Sequence, residues 1–228
     1  MDRKKSEGVS QPFSYLCVEG VIGAGKTSLC KLLVERLNAR GLYEQADENP
    51  FLSSFYQDRH SYAFQTQVWF LLSRYRQLSE YSIQQDLFHP VTIGDYMFAK
   101  DKIFATINLD ENELALYNTI AQALETKIPR PDCVVYLQVS TDVLLKRIEM
   151  RGRDYEVNMS TSYIEALNEA YNHYFFHYTQ SPLLIINTND IDFVNNKSDF
   201  EEIYKQIINA RHGSTFYHPI GSKKNQKK

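Results

Sequence analysis

The chain has 228 residues, 43% hydrophobic and 23% charged, the balance expected of a soluble globular protein with one sizeable core. Its formal net charge of −3 is uneven. Lys223, Lys224, Lys227 and Lys228 put four positive charges in the last eight residues, and residues 1–7 add three basic against two acidic groups, leaving the body between them eight charges negative. A body this acidic argues against broad nucleic-acid binding. The lysine end reads as a solvated tail, with a weak contact to a polyanion as the alternative. No stretch approaches the ~18 apolar residues that span a membrane. No apolar run follows the charged start Met1–Lys5, so no secretory signal is expected. Cys17, Cys30 and Cys133 are too few and too scattered for a disulfide framework or zinc cluster, and read as buried thiols in a reducing compartment, the cytoplasm.

In chain order, Phe13–Glu19 predicts a short buried strand, followed by a glycine-punctuated loop. Ser28–Arg40 predicts a helix, with Leu29, Leu32, Leu33 and Leu37 at helical spacing and Gly41 as its stop. Residues 62–85 read as a long aromatic-rich helix, and Pro90–Asp95 as a second buried strand ending on a carboxylate. Helical patterning returns at 111–126 and is broken by Pro129 and Pro131. Asp132–Val139 is nearly continuous apolar sequence, which suits a parallel strand covered on both faces. Ser140 or Thr141 caps the next helix. Ser162-x-x-Glu165 and Ser198-x-x-Glu201 read as capping boxes, with the apolar run Leu183–Ile186 between them. Alternating strands and helices imply an α/β fold with a parallel sheet flanked by helices. The expected organisation is a flexible stretch over residues 1–12, a single domain over 13–212 and a flexible basic tail over 213–228.

Gly20-Val21-Ile22-Gly23-Ala24-Gly25-Lys26-Thr27 matches the phosphate-loop pattern GxxxxGK[ST] in full and falls between a predicted strand and helix, as its mechanism requires. Glycines let the backbone turn several N–H groups toward phosphate oxygens, and the helix that opens near Ser28 adds positive potential. Lys26 reaches β- and γ-phosphates, and the Thr27 hydroxyl can ligate Mg²⁺. The motif predicts nucleoside-triphosphate binding, although such loops also serve switches, motors and regulators.

Three further groups narrow the chemistry. Glu44 precedes Asp47-Glu48-Asn49-Pro50-Phe51-Leu52, where a second strand and its loop are expected; alone it would read as a surface charge. Asp95 ends its strand, where α/β sheets place ligand-facing groups. Arg147 and Arg151 share a helix face at i, i+4, and Gly152 allows Arg153 to turn toward the same point. Like charges so spaced cost a helix a few tenths of a kcal/mol, so their clustering points to an anionic ligand.

Together these residues resemble the deoxynucleoside kinase family, and most closely its bacterial deoxyguanosine/deoxyadenosine kinase branch. The resemblance runs from about residue 13 to 210. It is carried by Val18–Thr27, Glu44–Leu52 with Phe55 and Tyr56, Phe64–Gln67 with Arg74, Gly94–Lys100, Arg147–Arg153 with Glu156, and Asn196–Phe200. It implies a P-loop kinase architecture with an arginine lid, and ATP and a deoxynucleoside as substrates. On it, Glu44 resembles the general base for the sugar 5′-hydroxyl, and Asp95 stands with Thr27 at the Mg²⁺ site. Arg147, Arg151 and Arg153 resemble the lid arginines, and Tyr56 and Glu156 the pair that holds the 3′-hydroxyl. Gln67 and Arg74, two turns apart on one helix face, fall where the family contacts the base. Gln67 is preferred over Gln65 on that spacing. Of Phe64, Trp69 and Phe70, one or two are expected to line the pocket while the rest pack the core. Asp192-Phe193 falls beside the adenine of ATP.

One departure stands out. Much of the family has an arginine directly after the strand-end carboxylate, where this chain has Tyr96. Lys100, one turn on, is the candidate for its role if the segment is helical, and Asp101 is the candidate acceptor for a purine edge. This form resembles the deoxyguanosine-kinase type, so the expected activity is ATP-dependent phosphorylation of deoxyguanosine. The alternatives are a deoxyadenosine/deoxycytidine kinase, a nucleoside monophosphate kinase like thymidylate kinase, and a non-catalytic nucleotide-binding subunit. The resemblance further implies a dimer, either a homodimer or a heterodimer with a related kinase subunit.

Overall fold

The computed structural model describes residues 12–83, 89–156 and 159–219. Its centre is strand β1 (Tyr15–Gly20), buried at every position, running into helix α1 (Lys26–Leu37). The other strands are β2 (Arg40–Leu42), β3 (Thr92–Gly94), β4 (Cys133–Gln138), β5 (Leu183–Asn187) and β6 (Ser214–Tyr217). They form one sheet in the order β2-β3-β1-β4-β5-β6, and each pair is parallel. Helices α2 (Leu52–Gln57) and α3 (Arg59–Ile83) lead into β3. Helices α4 (Lys100–Asn108) and α5 (Glu111–Glu125) lead into β4. The remaining helices are α6 (Thr141–Arg151), α7 (Thr161–Phe176) and α8 (Lys197–Asn209).

The near-continuous apolar runs in β1, β4 and β5 are what a strand needs when helices cover both its faces. Leu16, Val18, Val134, Val135 and Ile186 are fully buried, with Leu29 and Leu33 of α1 and Ile164 and Leu167 of α7 in the same core. All three cysteines are free and buried in this interior. From β1 the chain goes out to β2 at one edge, returns to β3 between β2 and β1, then crosses to β4 on the other side of β1. Beside β1 the order therefore reverses, and a crevice opens at the carboxyl ends of the strands.

Several boundaries differ from those the sequence predicts. Helix α1 ends at Leu37 because Asn38 takes the left-handed conformation (φ 49°), which asparagine tolerates better than most residues; Gly41 lies inside β2 instead of stopping the helix. The caps of α7 and α8 are Ser160 and Asn196, whose side chains accept from the Tyr163 and Ser198 amides, so the boxes predicted at Ser162 and Ser198 begin two residues late. A capping box does form at Asp110 and Glu113. The domain extends past residue 212, since Ser214–Tyr217 pairs with β5 as the edge strand. The predicted flexible stretch 1–12 lies outside the described residues up to 11, as does the lysine tail from 220.

Candidate active site

The phosphate loop joins β1 to α1 at the centre of that crevice. Gly25 caps α1 with φ 97°, and a Cβ there would also come within 3.0 Å of the Phe193 ring, so both conformation and space call for glycine. Lys26 Nζ is held by the carbonyls of Gly20 (2.8 Å) and Val21 (3.1 Å). Burial, helped by the Lys100 charge, lowers its pKa to about 8 against the pull of Glu19, Glu44 and Asp95. Behind the loop, the fully buried Glu19 accepts from the Gly20 amide (3.2 Å) and from the Met97 amide (2.7 Å), tying the loop to the segment that follows β3.

Asp95 leaves the end of β3 and organises both sides of the crevice. One carboxylate oxygen accepts from Thr27 Oγ1 (2.5 Å) and the other from the Glu44 amide (2.8 Å). Two residues past β2, the Glu44 carboxylate receives two bonds from Lys100 Nζ, at 3.0 and 2.8 Å, and a further pair from the Arg74 guanidinium. Burial alone would raise the Glu44 pKa, but Lys100 and then Arg74 outweigh it and hold the carboxylate far below its ordinary range. Arg74 also pairs with the buried Asp101, whose own pKa burial pushes up to about 6 despite that guanidinium.

On the other side, Gly152 closes α6 in the left-handed conformation (φ 63°) and turns the chain so that Arg153 continues over the cleft. Arg151 pairs with the buried Glu156, including a 3.2 Å bond from Nε. Arg147 faces the loop instead, bonding the Thr188 carbonyl (2.7 Å) and the Ala24 carbonyl (3.3 Å).

Two spaces flank the loop. A groove of about 610 Å³ is lined by Gly23, Lys26, Ser28, Arg147, Asp192 and Phe193. A smaller cavity of about 130 Å³ is lined by Glu44, Tyr56, Gln67, Arg74, Asp101 and Glu156, among others. Arg151 and Arg153 border both. Around the cavity, three atoms buried among the described residues have no hydrogen-bond partner: Thr66 Oγ1, Gln67 Oε1 and Asp101 Oδ2. Buried polar atoms left unpaired cost about 1–3 kcal/mol each, so such a cluster marks a place where something polar binds.

A hydroxyl from Thr27 and a carboxylate from Asp95 at the phosphate loop form an all-oxygen pair, and no cluster of three or more His, Cys, Asp or Glu suited to a metal exists among the described residues. That donor set suits Mg²⁺, which takes few protein ligands and shares phosphate oxygens, so the residues fit the metal.

The sequence profile of the family described as deoxynucleoside kinase matches residues 16–211. The chain belongs to the deoxynucleoside kinase family. Deoxyguanosine kinase of Bacillus subtilis (strain 168) is 35% identical over 197 residues, covering 85% of this chain and 95% of that protein. The deoxyadenosine/deoxycytidine kinase of the same organism is 30% identical, covering 87% of this chain and 94% of that protein. Among solved structures, deoxyadenosine kinase from M. mycoides superposes with a TM-score of 0.72 at 25% identity, covering 85% of this chain and 98% of that one. The chain is therefore a phosphotransferase with the P-loop nucleoside-kinase fold. No helix among the described residues is long and apolar enough to cross a membrane.

For this deoxynucleoside kinase, the crevice gathers residues predicted from six separated stretches. Gln67 is buried on the cavity wall while Gln65 faces solvent. Of the three aromatics, Phe70 lines the cavity, and its ring lies 4.9 Å from the Arg74 guanidinium. The segment Tyr96–Ala99 is not the helical turn expected, since α4 opens only at Lys100, but Lys100 still reaches Glu44 from that first position. Tyr96 lines neither space: it is fully buried, with its ring 5.8 Å from the Arg74 guanidinium and its hydroxyl donating to Gln77 Oε1 (2.5 Å). Phe193 supports the loop from below as well as lining the groove. Sequence reasoning missed Thr66, Phe104, Asp47 and Tyr155 as cavity residues and Glu19 as the brace. Phe104, four residues beyond Lys100 on α4, could have been found by helical spacing, and Glu19 by its place as a carboxylate ending an apolar strand.

Proposed function

We propose that this kinase transfers the γ-phosphate of ATP to the 5′-hydroxyl of a purine deoxynucleoside, with deoxyguanosine preferred. The observation that carries the base preference is the set of unpaired buried atoms beside Arg74. A guanine edge offers its N1–H and exocyclic amine as adjacent donors to Asp101 and Gln67, and its O6 as an acceptor for a guanidinium or amide donor. Cytosine and adenine bring one exocyclic amine and no ring N–H, so they leave more of these acceptors unsatisfied. The 35% identity to a deoxyguanosine kinase favours the same base. Deoxyadenosine/deoxycytidine phosphorylation is the second reading, because one relative is so named and structures of the M. mycoides enzyme are described with dCTP and dATP bound.

In this reading Glu44 orients the 5′-hydroxyl and takes its proton late, as suits a carboxylate of low basicity in a loose phosphoryl transfer. Lys100 and Arg74 hold that carboxylate in place, and Asp95 fixes its backbone. Tyr56 and Glu156 face the sugar 3′-hydroxyl. The loop Gly20–Ser28 receives the phosphates, with Asp192 and Phe193 toward the adenine of ATP. Arg147, Arg151 and Arg153 neutralise phosphoryl oxygens. Thr27 and Asp95 would hold Mg²⁺, which neutralises charge on the β- and γ-oxygens when bound. The reading also includes a cytoplasmic location, and a homodimer or a heterodimer with a related subunit.

The test is transfer from Mg·ATP to deoxyguanosine, deoxyadenosine, deoxycytidine, thymidine and dTMP, with Lys26→Ala as the control for contaminating kinases. Deoxyguanosine is expected to show the highest kcat/KM. A different leading nucleoside overturns the base assignment. Turnover led by dTMP, or none at all with ATP still bound, overturns the nucleoside-kinase reading of this site.

A further inference from the structure

Tyr155 sits where three parts of the site meet, and none of the roles above uses it. It lies in the 3₁₀ turn Asp154–Glu156, between Arg153 and Glu156. Its hydroxyl accepts from Arg153 Nη1 (2.5 Å) and donates to Asp47 Oδ1 (2.8 Å). Its ring lies 5.8 Å from that of Tyr56 and 10° from parallel. Burial, with Asp47 adding to it, pushes the phenol above its usual range, so it remains a donor at neutral pH. Asp47 belongs to the turn Ala46–Glu48, on the loop that carries Glu44. Arg153 also approaches Asp47 directly at 3.9 Å, with the two side chains 39% and 71% exposed. An ion pair that open contributes little to folding, so what these contacts decide is where Arg153 points.

Arg153 follows a left-handed glycine at the open end of α6, and backbone alone leaves a long arginine side chain many rotamers. The phenol and the Asp47 carboxylate select one of them, and Asp47, Arg153, Tyr155 and Tyr56 all border the smaller cavity. From this geometry we propose that Tyr155 is a positioning residue that sets the Arg153 guanidinium over the acceptor cavity and ties that setting, through Asp47, to the loop carrying Glu44. A deoxynucleoside held against Tyr56 steadies the Tyr155 ring stacked on it, so one side chain couples acceptor binding to the placing of a lid arginine. The inference rests on the reading of Arg153 as a phosphoryl-neutralising residue.

Steady-state transfer from Mg·ATP to the fastest nucleoside of the panel tests it, comparing the wild type with Tyr155→Phe, Arg153→Gln and the double variant. Tyr155→Phe is expected to lose about tenfold in kcat, with the nucleoside KM held within about twofold because the ring stays on Tyr56. The double variant is expected to be no slower than Arg153→Gln alone. Asp47 is exposed, so Asp47→Ala removes the phenol's acceptor with little risk to the fold and is expected to show the same loss in kcat without a change in KM. A wild-type kcat for both Tyr155→Phe and Asp47→Ala, with Arg153→Gln impaired, overturns the positioning role and leaves the lid reading intact. Losses that multiply in the double variant overturn it too, since Tyr155 would then act by another route. Arg153→Gln at the wild-type rate overturns the lid reading itself and the inference with it.

Discussion

Arg74, Glu44, Lys100 and Asp101 share one buried knot of charge, two cations against two anions, with burial setting how each titrates. Glu44 has both cations and stays ionised at any pH of interest, whereas Asp101 faces Arg74, lies close to Glu44 and sits near pKa 6. In the proposed reading the two carboxylates therefore separate by role: one stays charged beside the reacting hydroxyl, and one accepts from the base only while it remains ionised. Below about pH 6 Asp101 takes a proton, so the KM for deoxyguanosine is expected to rise as pH falls through 6, while the KM for ATP stays flat. Asp101→Asn should remove that pH dependence and raise the KM throughout, which steady-state kinetics from about pH 5 to 8 would read. For folding, the raised pKa works in the opposite sense: the group's contribution is largest below the ordinary carboxylate pKa of about 4 and is lost as pH rises through 6. The loop pattern placed Lys26 and Thr27 by spacing, whereas Asp95 was placed beside Thr27 only through the family resemblance, and the two side chains do meet. The sequence did not show that Lys100 and Arg74 converge on Glu44, because the three residues come from separate elements and meet only where α3 and α4 pack together beside the loop after β2.

At the scale of elements, α6 does two tasks along its length. Arg147, a turn before its end, braces the phosphate loop through Ala24 and Thr188, while Gly152 at its end redirects the chain toward the acceptor side. The space around Gly152 is open: a Cβ there would find nothing nearer than the Glu149 carbonyl oxygen at 3.9 Å, so substitution acts through backbone strain alone. Gly152→Val is expected to cost about 1–2 kcal/mol and lower Tm by a few degrees, ~2–4 °C per kcal/mol, and to reduce kcat severalfold by moving Arg153. Gly152→Asn, which accepts positive φ, should retain most of the activity; thermal melts and kinetics on the pair check both halves. The apolar runs of β1, β4 and β5 were plain in the sequence because buried parallel strands need them. Strand β2 was expected only from its place after the first helix and β6 not at all, since each is three or four residues at a sheet edge, and Ser214, Thr215 and Phe216 of β6 are exposed and carry no burial pattern to read.

Across the whole molecule, the functional residues follow from topology. Parallel strands aim their carboxyl ends the same way, so β1 delivers the phosphate loop, β2 Glu44, β3 Asp95, and the helix after β4 the lid arginines, all at one edge of the sheet where the strand order reverses. The fold class and the identity of this edge could be foreseen from the alternation of strands and helices and from the phosphate loop; the pairing of Glu44 with two cations could not. The account turns on Glu44 as the group that receives the 5′-hydroxyl proton. Its most direct test is phosphate transfer from Mg·ATP to deoxyguanosine by Glu44→Gln beside the wild type, with ATP affinity measured on both. The expected result is a kcat lower by about 10²–10⁴-fold with ATP affinity unchanged. A variant that turns over at close to the wild-type rate would contradict it.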